Sequence, residues 1–240
     1  MARQATIRKI NVEKHAKGSW LRDFILGWQD GLVNVLGVIL GVATATTSKT
    51  IVIVAAMAAA FAESVSMAAV AYTSFKAEHD YYKSEENREK REIEAVPKTE
   101  TKEVREIYTK LGFKGSLLDR VVKHITSNKQ RWLDVMMSQE LKLNPPKNNL
   151  LVTASVVGIS ALIGSFIPAT PFFFLPIKTA VIVALIVSTI VLFFVGVYKA
   201  KTTVGNPLRS GIELAVIGML AALAGYAIGI VFGILFPGAN

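Results

Sequence analysis

Cysteine is absent from the chain. That removes disulfides, thiolate metal sites and cysteine nucleophiles, and leaves the redox compartment open. Acidic side chains are nearly missing from the long apolar stretches, where only Asp30, Glu63 and Glu213 occur. There is also no Glu-x-x-His pair of the kind that builds di-iron centres in helical bundles, since His79 follows Lys76 and His124 follows Val121 at that spacing. The histidines are therefore expected to be incidental.

What the chain has is length of apolar sequence. Hydrophobic residues make up 52% of it and collect at 24–47, 51–75, 150–167, 177–198 and 211–236. A helix needs about 20 such residues to cross the hydrocarbon core. The first run follows a basic tail, exceeds a signal-peptide core and has no small-residue cleavage site, so it reads as a retained span. The expectation is an all-α integral membrane protein with a basic tail over 1–23, spans one and two in 24–75, a polar insert over 76–149 and spans three to five in 150–240.

The formal charge of +9 is a topology signal rather than a nucleic-acid footprint, because of where it lies. Basic residues fill the tail (Arg3, Arg8, Lys9, Lys14, Lys17, Arg22) and the loop before the last span (Lys199, Lys201, Arg209), whereas the opposite connections carry only Lys49 and Lys178. That asymmetry puts the N-terminus, the insert and the 199–209 loop in the cytoplasm, against anionic lipid. The segment "IPATPFFFLPIK" (167–178) reads as a short Pro-rich turn on the other side. Glycines four apart (Gly27/Gly31, Gly37/Gly41, Gly225/Gly229/Gly233) permit close helix contact, most simply within one chain.

The insert carries 16 Lys or Arg and 13 Asp or Glu, so it is nearly balanced. Its apolar residues recur at helical spacing, and Pro97, "LGFKGS" (111–116), "TSN" (126–128) and "NPP" (144–146) divide it into about three amphipathic helices. No Gly or Pro interrupts "SFKAEHDYYKSEENREKREIE", so the first of these continues the second span. A segment of this size buries little core and invites help from a metal, the membrane or a second subunit.

A carboxylate deep in a bilayer costs a few kcal/mol and requires a reason. With a rise of 1.5 Å per residue, Asp30 lies about 9 Å inside the first span, Met67 about 12 Å inside the second and Glu63 about 18 Å inside it. Asp30 and Met67 thus lie at similar depth, with Glu63 one turn further along a path, and a carboxylate beside a thioether suits a borderline cation such as Fe²⁺. In the insert, Glu85 or Glu86, Glu89 and Glu92 share a helical face, Glu100 and Glu103 share another, and Met136 and Glu140 are one turn apart. These glutamates either converge on a metal or form surface ion pairs with the interleaved Lys and Arg; spacing leaves both open.

At these residues the chain resembles the vacuolar iron transporter family, most specifically in "DGLVNVLGVILGVA" (30–43), "SMAAVAYTSFKAEHDYY" (66–82), "REKREIE" (88–94) and "HITSNKQRWLDVMMSQEL" (124–141). The resemblance implies five transmembrane helices with a cytosolic three-helix metal-binding domain between spans two and three. It also implies a homodimer with the pathway at its interface, and export of Fe²⁺ from the cytosol in exchange for protons. By position, Asp30 and Met67 match the transmembrane path. Glu89, Glu92, Glu100, Glu103 and Glu140 match the metal-domain carboxylates, and Met136 and Met137 its methionine pair. The chain departs from the family at Ala71, where relatives usually have glutamate, at Ala77 and Glu78, where they read Ser-Gln, and at Glu63, which replaces a small residue and is the expected proton carrier. The expectation is a transporter rather than an enzyme, with no prosthetic group and Fe²⁺ as cargo. Mn²⁺, Co²⁺ and Zn²⁺ fit the same donors. Its membrane is the plasma membrane in a prokaryote or the vacuolar membrane in a eukaryote. A membrane-anchored iron store or ferroxidase-like protein is the alternative.

Overall fold

The computed structural model describes residues 16–146, 149–202 and 205–235. Most of the expected basic tail and the C-terminal "PGAN" lie outside the described residues. Among the described residues there is no strand. The helices run α1 Ala16–Ala45, α2 Lys49–Ala95, α3 Pro97–Lys110, α4 Gly115–Thr126, α5 Lys129–Val135, α6 Leu150–Phe174, α7 Ile177–Thr202 and α8 Pro207–Leu235, with a π-helical turn Met136–Glu140 continuing α5. Five of them are long and apolar enough to cross a membrane: α1 from Trp20, α2, α6, α7 and α8.

The chain forms two compact units, Met1–Ala71 with Leu151–Asn240, and Tyr72–Leu150. In the first, β-branched residues, leucine and alanine of α1 (Val35, Leu36, Ile39), α2 (Val52, Ala56, Ala60), α6 and α7 fill one core. Small residues set the spacing. A Cβ at Gly31 would strike the Ala161 carbonyl of α6, and one at Gly225 the Gly37 backbone of α1. The glycine steps are thus used for packing inside one chain. Ser64 of α2 donates to the Gly158 carbonyl of α6 at 2.8 Å, adding a polar tie between spans.

Two expectations need correction here. The stretch 167–178 is not a turn over its whole length: α6 runs on through Pro168 and Pro171 to Phe174, leaving only Leu175 and Pro176 between helices. The two prolines free the carbonyls four residues before them, those of Gly164 and Ile167, and proline is tolerated in membrane helices where neighbours re-satisfy such groups. The spans also hold a fourth carboxylate. α1 begins at Ala16 rather than near Phe24, which draws Asp23 into the helix at 4% exposure.

α2 is unbroken over 47 residues. At 1.5 Å per residue it is about 70 Å long, more than twice the ~30 Å hydrocarbon core, so its charged second half extends beyond any apolar layer. Pro97 ends it and occupies the first turn of α3, where its missing N–H costs nothing. In the second unit α2, α3, α4 and α5 are four separate helical stretches rather than about three. One break falls at Ser127–Asn128, inside the expected "TSN" divider, where the Asn128 side chain caps α5 by accepting from the Arg131 N–H at 2.9 Å. Their apolar faces meet in a core of Ile93, Val104, Leu118, Val122, Trp132 and Leu133, joined by Met136 and Met137.

Candidate metal-binding site

In the Tyr72–Leu150 unit the glutamates are sorted by burial. Glu89 of α2 and Glu100 of α3 are 2% and 4% exposed, whereas Glu86 and Glu94 pair outward with Lys90 and Lys129, each at 2.8 Å. Glu100 occupies the first turn of α3, where the helix dipole favours an anion. One oxygen on each buried carboxylate, Glu89 Oε2 and Glu100 Oε2, has no hydrogen-bond partner. A buried carboxylate oxygen left unpaired is costly, and a cation satisfies it.

The π-helical turn carries the third contribution. Its wider ring is closed by the Leu141 N–H donating to the Met136 carbonyl at 3.1 Å. Such turns recur at functional sites. Met136 and Met137 are both buried in the unit's apolar core, and Glu140 ends the turn. Met136 and Met137 therefore serve as packing residues in this arrangement, whatever else they do.

The carboxylates sense one another. Partial burial, then Glu103, Glu89, Glu92 and Glu140 push the Glu100 carboxyl up to about 7. Partial burial, with Glu103 and Glu89 next, does the same for Glu140, again to about 7. Burial also raises Glu89, against the lowering effect of Arg88. All five glutamates expected at the metal site thus share one electrostatic neighbourhood. Yet among the described residues no three Asp, Glu or His side chains are drawn together tightly enough to grip an ion. Arg88 stands among them. Its Nη2 lies 2.9 Å from Glu85 Oε2 and 3.3 Å from Glu89 Oε1, and its Nε lies 3.6 Å from Glu92 Oε2. The donor types present in this unit, carboxylate oxygen and thioether sulfur, suit a divalent cation of borderline softness.

In the other unit, Asp30 meets two polar neighbours. Asn34, one turn along α1, donates from Nδ2 to Asp30 Oδ2 at 3.3 Å. Glu63 of α2 lies within side-chain reach of both Asp30 and Asn34. Asp30's carboxylate partner is thus Glu63, which depth counting had set a turn further along. Met67 is half-buried one turn from Glu63 on α2, and Glu213 is exposed. In the Tyr72–Leu150 unit His79 is half-buried, with its Nδ1 3.9 Å from Asp80 Oδ1.

Sequence reasoning passed over Asp23, Asn34 and Arg88. Each left a signal in spacing. Asp23 precedes Asp30 by two helical turns, Asn34 follows it by one, and Arg88 lies three residues after Glu85 and four before Glu92. Asp23 is held by Arg22, whose Nη2 is 3.2 Å from its Oδ1.

Residues 21–230 match the model of the VIT family. The chain is 36% identical to vacuolar iron transporter 1 of Arabidopsis thaliana over 226 residues, covering 93% of this chain and 90% of that protein. It is 34% identical to vacuolar iron transporter 1 of Tulipa gesneriana, over 90% of this chain and 88% of that one. It is likewise 34% identical to vacuolar iron transporter 1 of Oryza sativa subsp. japonica, over 89% and 86%.

Proposed function

Because the chain belongs to the VIT family, we propose that this multi-pass membrane protein carries Fe²⁺ out of the cytosol in exchange for protons. The observation that carries the reading is the set of five electrostatically linked glutamates around two buried, unpartnered carboxylate oxygens. Glu89, Glu92, Glu100, Glu103 and Glu140, with Met136 and Met137 alongside, capture the ion on the cytosolic side. It then passes along Asp30 and Met67 through the membrane. Mn²⁺ satisfies the same hard oxygens and is a second cargo on this reading.

Glu63 is the proton carrier. A carboxyl that hydrogen-bonds with a second carboxyl holds a proton more readily than it holds a second negative charge. A cation arriving at Asp30 reverses that preference and expels the proton, which couples the two flows. The distribution of basic residues supports an N-terminus and a Tyr72–Leu150 unit on the cytosolic side.

A homodimer completes the path. In the single chain Asn34 is exposed and Asp30 and Glu63 are half-buried, a costly exposure against lipid. Only 17% of the most apolar stretch of α2 is buried, against 44% for α1 and α6. A second copy packed on the α1–α2 face shields the polar groups and lines a path between protomers.

Proteoliposomes with a pH-sensitive dye inside test the proposal. Fe²⁺ uptake with opposite proton movement is the expected result. Rapid oxygen consumption without vectorial uptake would favour an iron store or ferroxidase-like protein instead.

A further inference from the structure

The Arg88 guanidinium pairs with two of the five clustered carboxylates, Glu89 and Glu92, and with the neighbouring Glu85. It is not an ordinary surface partner. Glu86 and Glu94 each pair with a lysine and leave the buried groups alone, whereas Arg88 contacts Glu89, the least exposed carboxylate of the cluster. Arg88 also divides that carboxylate. It holds Oε1 at 3.3 Å, and leaves Oε2 buried with no partner.

We propose that Arg88 is a tethered competitor for the metal ion, a positioning residue that an incoming divalent cation must displace from Glu89 and Glu92 before those carboxylates can chelate it. The inference rests on the reading that this cluster captures metal. Three properties of Arg88 suit it to the role. The guanidinium is permanently charged and presents a rigid fork of donors, so it competes at every working pH. Its side chain is 45% exposed, so it can swing into water and keep its charge solvated. The atoms it leaves free, Glu89 Oε2 and Glu100 Oε2, are buried and unpaired. An ion therefore has a first foothold on the inner oxygens before it contests the outer ones.

The consequence is a balance between capture and release. Five carboxylates with no internal cation would hold a divalent ion tightly and surrender it slowly. With Arg88 present, release of the ion is assisted by return of the guanidinium to Glu85, Glu89 and Glu92. A monovalent cation, with half the charge, gains too little from the cluster to displace it. Arg88 thus favours divalent over monovalent ions without itself being a ligand.

The test uses the full-length protein in detergent at pH 7.5, with Mn²⁺ binding followed by loss of the free-ion electron paramagnetic resonance signal and release timed by stopped-flow mixing with a chelator. Arg88→Gln is expected to tighten Mn²⁺ binding about three- to tenfold, the range set by losing one to three partly exposed ion pairs, and to slow release in proportion. Arg88→Lys, a point charge unable to span three carboxylates, should fall between the two. Glu89→Gln should weaken binding in either background. If Arg88→Gln binds Mn²⁺ no more tightly than the parent while Glu89→Gln still weakens it, the competitor role is overturned and the capture site stands. If the parent shows no saturable Mn²⁺ binding that Glu89→Gln alters, the capture site itself fails. Should Arg88→Gln not fold, Arg88→Lys decides alone: binding weaker than or equal to the parent overturns the proposal.

Discussion

Asn34 donates from Nδ2 to Oδ2 of Asp30 across 3.3 Å, one turn away on the same helix. The bond fixes the rotamer of the carboxylate expected to line the membrane path. Losing one hydrogen bond to a charged group costs about 1.5–3 kcal/mol, and losing the carboxylate removes the charge itself. Asn34→Ala should therefore slow Fe²⁺ uptake into proteoliposomes by about tenfold, and Asp30→Asn should abolish it. Uptake unchanged in Asp30→Asn would remove Asp30 from the pathway.

Exchanging Glu63 for Gln keeps a hydrogen-bonding partner for Asp30 but removes the titratable group. On the proposed coupling, metal binding in the Tyr72–Leu150 unit stays at the parent level, while dye-reported proton movement during uptake falls to background. A Glu63→Gln protein that still exchanges protons for metal would place the carrier elsewhere.

Metal capture should depend on pH between about 6 and 8. The Glu100 and Glu140 carboxyls are each pushed up to about 7 by burial and neighbouring glutamates, so below that pH a metal ion must displace their protons. Mn²⁺ affinity is expected to rise steeply from pH 6 to 7.5 and level off above 8. Glu100→Gln and Glu140→Gln should each flatten the profile as well as lower the plateau.

The same shifts set a stability trend of the opposite sign. Both groups have folded pKa values of about 7 against 4.5 when unperturbed. Their contribution is complete below pH 4.5 and is lost as pH rises through 7. In chelator-treated protein the Tyr72–Leu150 unit should melt at a lower temperature at pH 8 than at pH 6, and saturating Mn²⁺ should reverse the difference. Hydrogen exchange of residues 97–140 resolves this unit from the rest of the chain.

Packing of α1 on α6 is expected to be intolerant at Gly31, whose added Cβ would strike the Ala161 carbonyl and crowd the Ser165 hydroxyl at 2.8 Å. Gly31→Leu overpacks a backbone contact rather than a flexible tip and should cost about 3 kcal/mol or more. Loss of monodisperse protein in detergent is the readout. Gly112→Leu provides the contrast. No atom lies near a Cβ there, so the cost is confined to the backbone strain of a side chain at its φ of +96°.

Much of this protein was legible along the chain. Five candidate spans follow from five long apolar runs. The unbroken α2 follows from a stretch without glycine or proline, and the restart at Pro97 from a ring that suits only a helix's first turn. Period alone also marks Glu89, Glu92, Glu100, Glu103 and Glu140 as candidates, because residues three or four apart share a face. It could not say which face turns inward. The burial of Glu89 and Glu100, with Glu86 and Glu94 left to lysines, depends on how α2, α3 and α5 fold against one another. Asp23 was missed because a helix start judged by hydropathy cannot see that a polar first turn is still helical. α6 runs past two prolines because tertiary neighbours can satisfy the carbonyls they free. The order of residues was enough to show how many apolar runs there are and which donor types are available, since both are local or periodic properties. Only the tertiary structure decided that Glu63 meets Asp30, that Arg88 stands among the carboxylates and that two of their oxygens are left without partners, since these depend on contacts between side chains as well as their order.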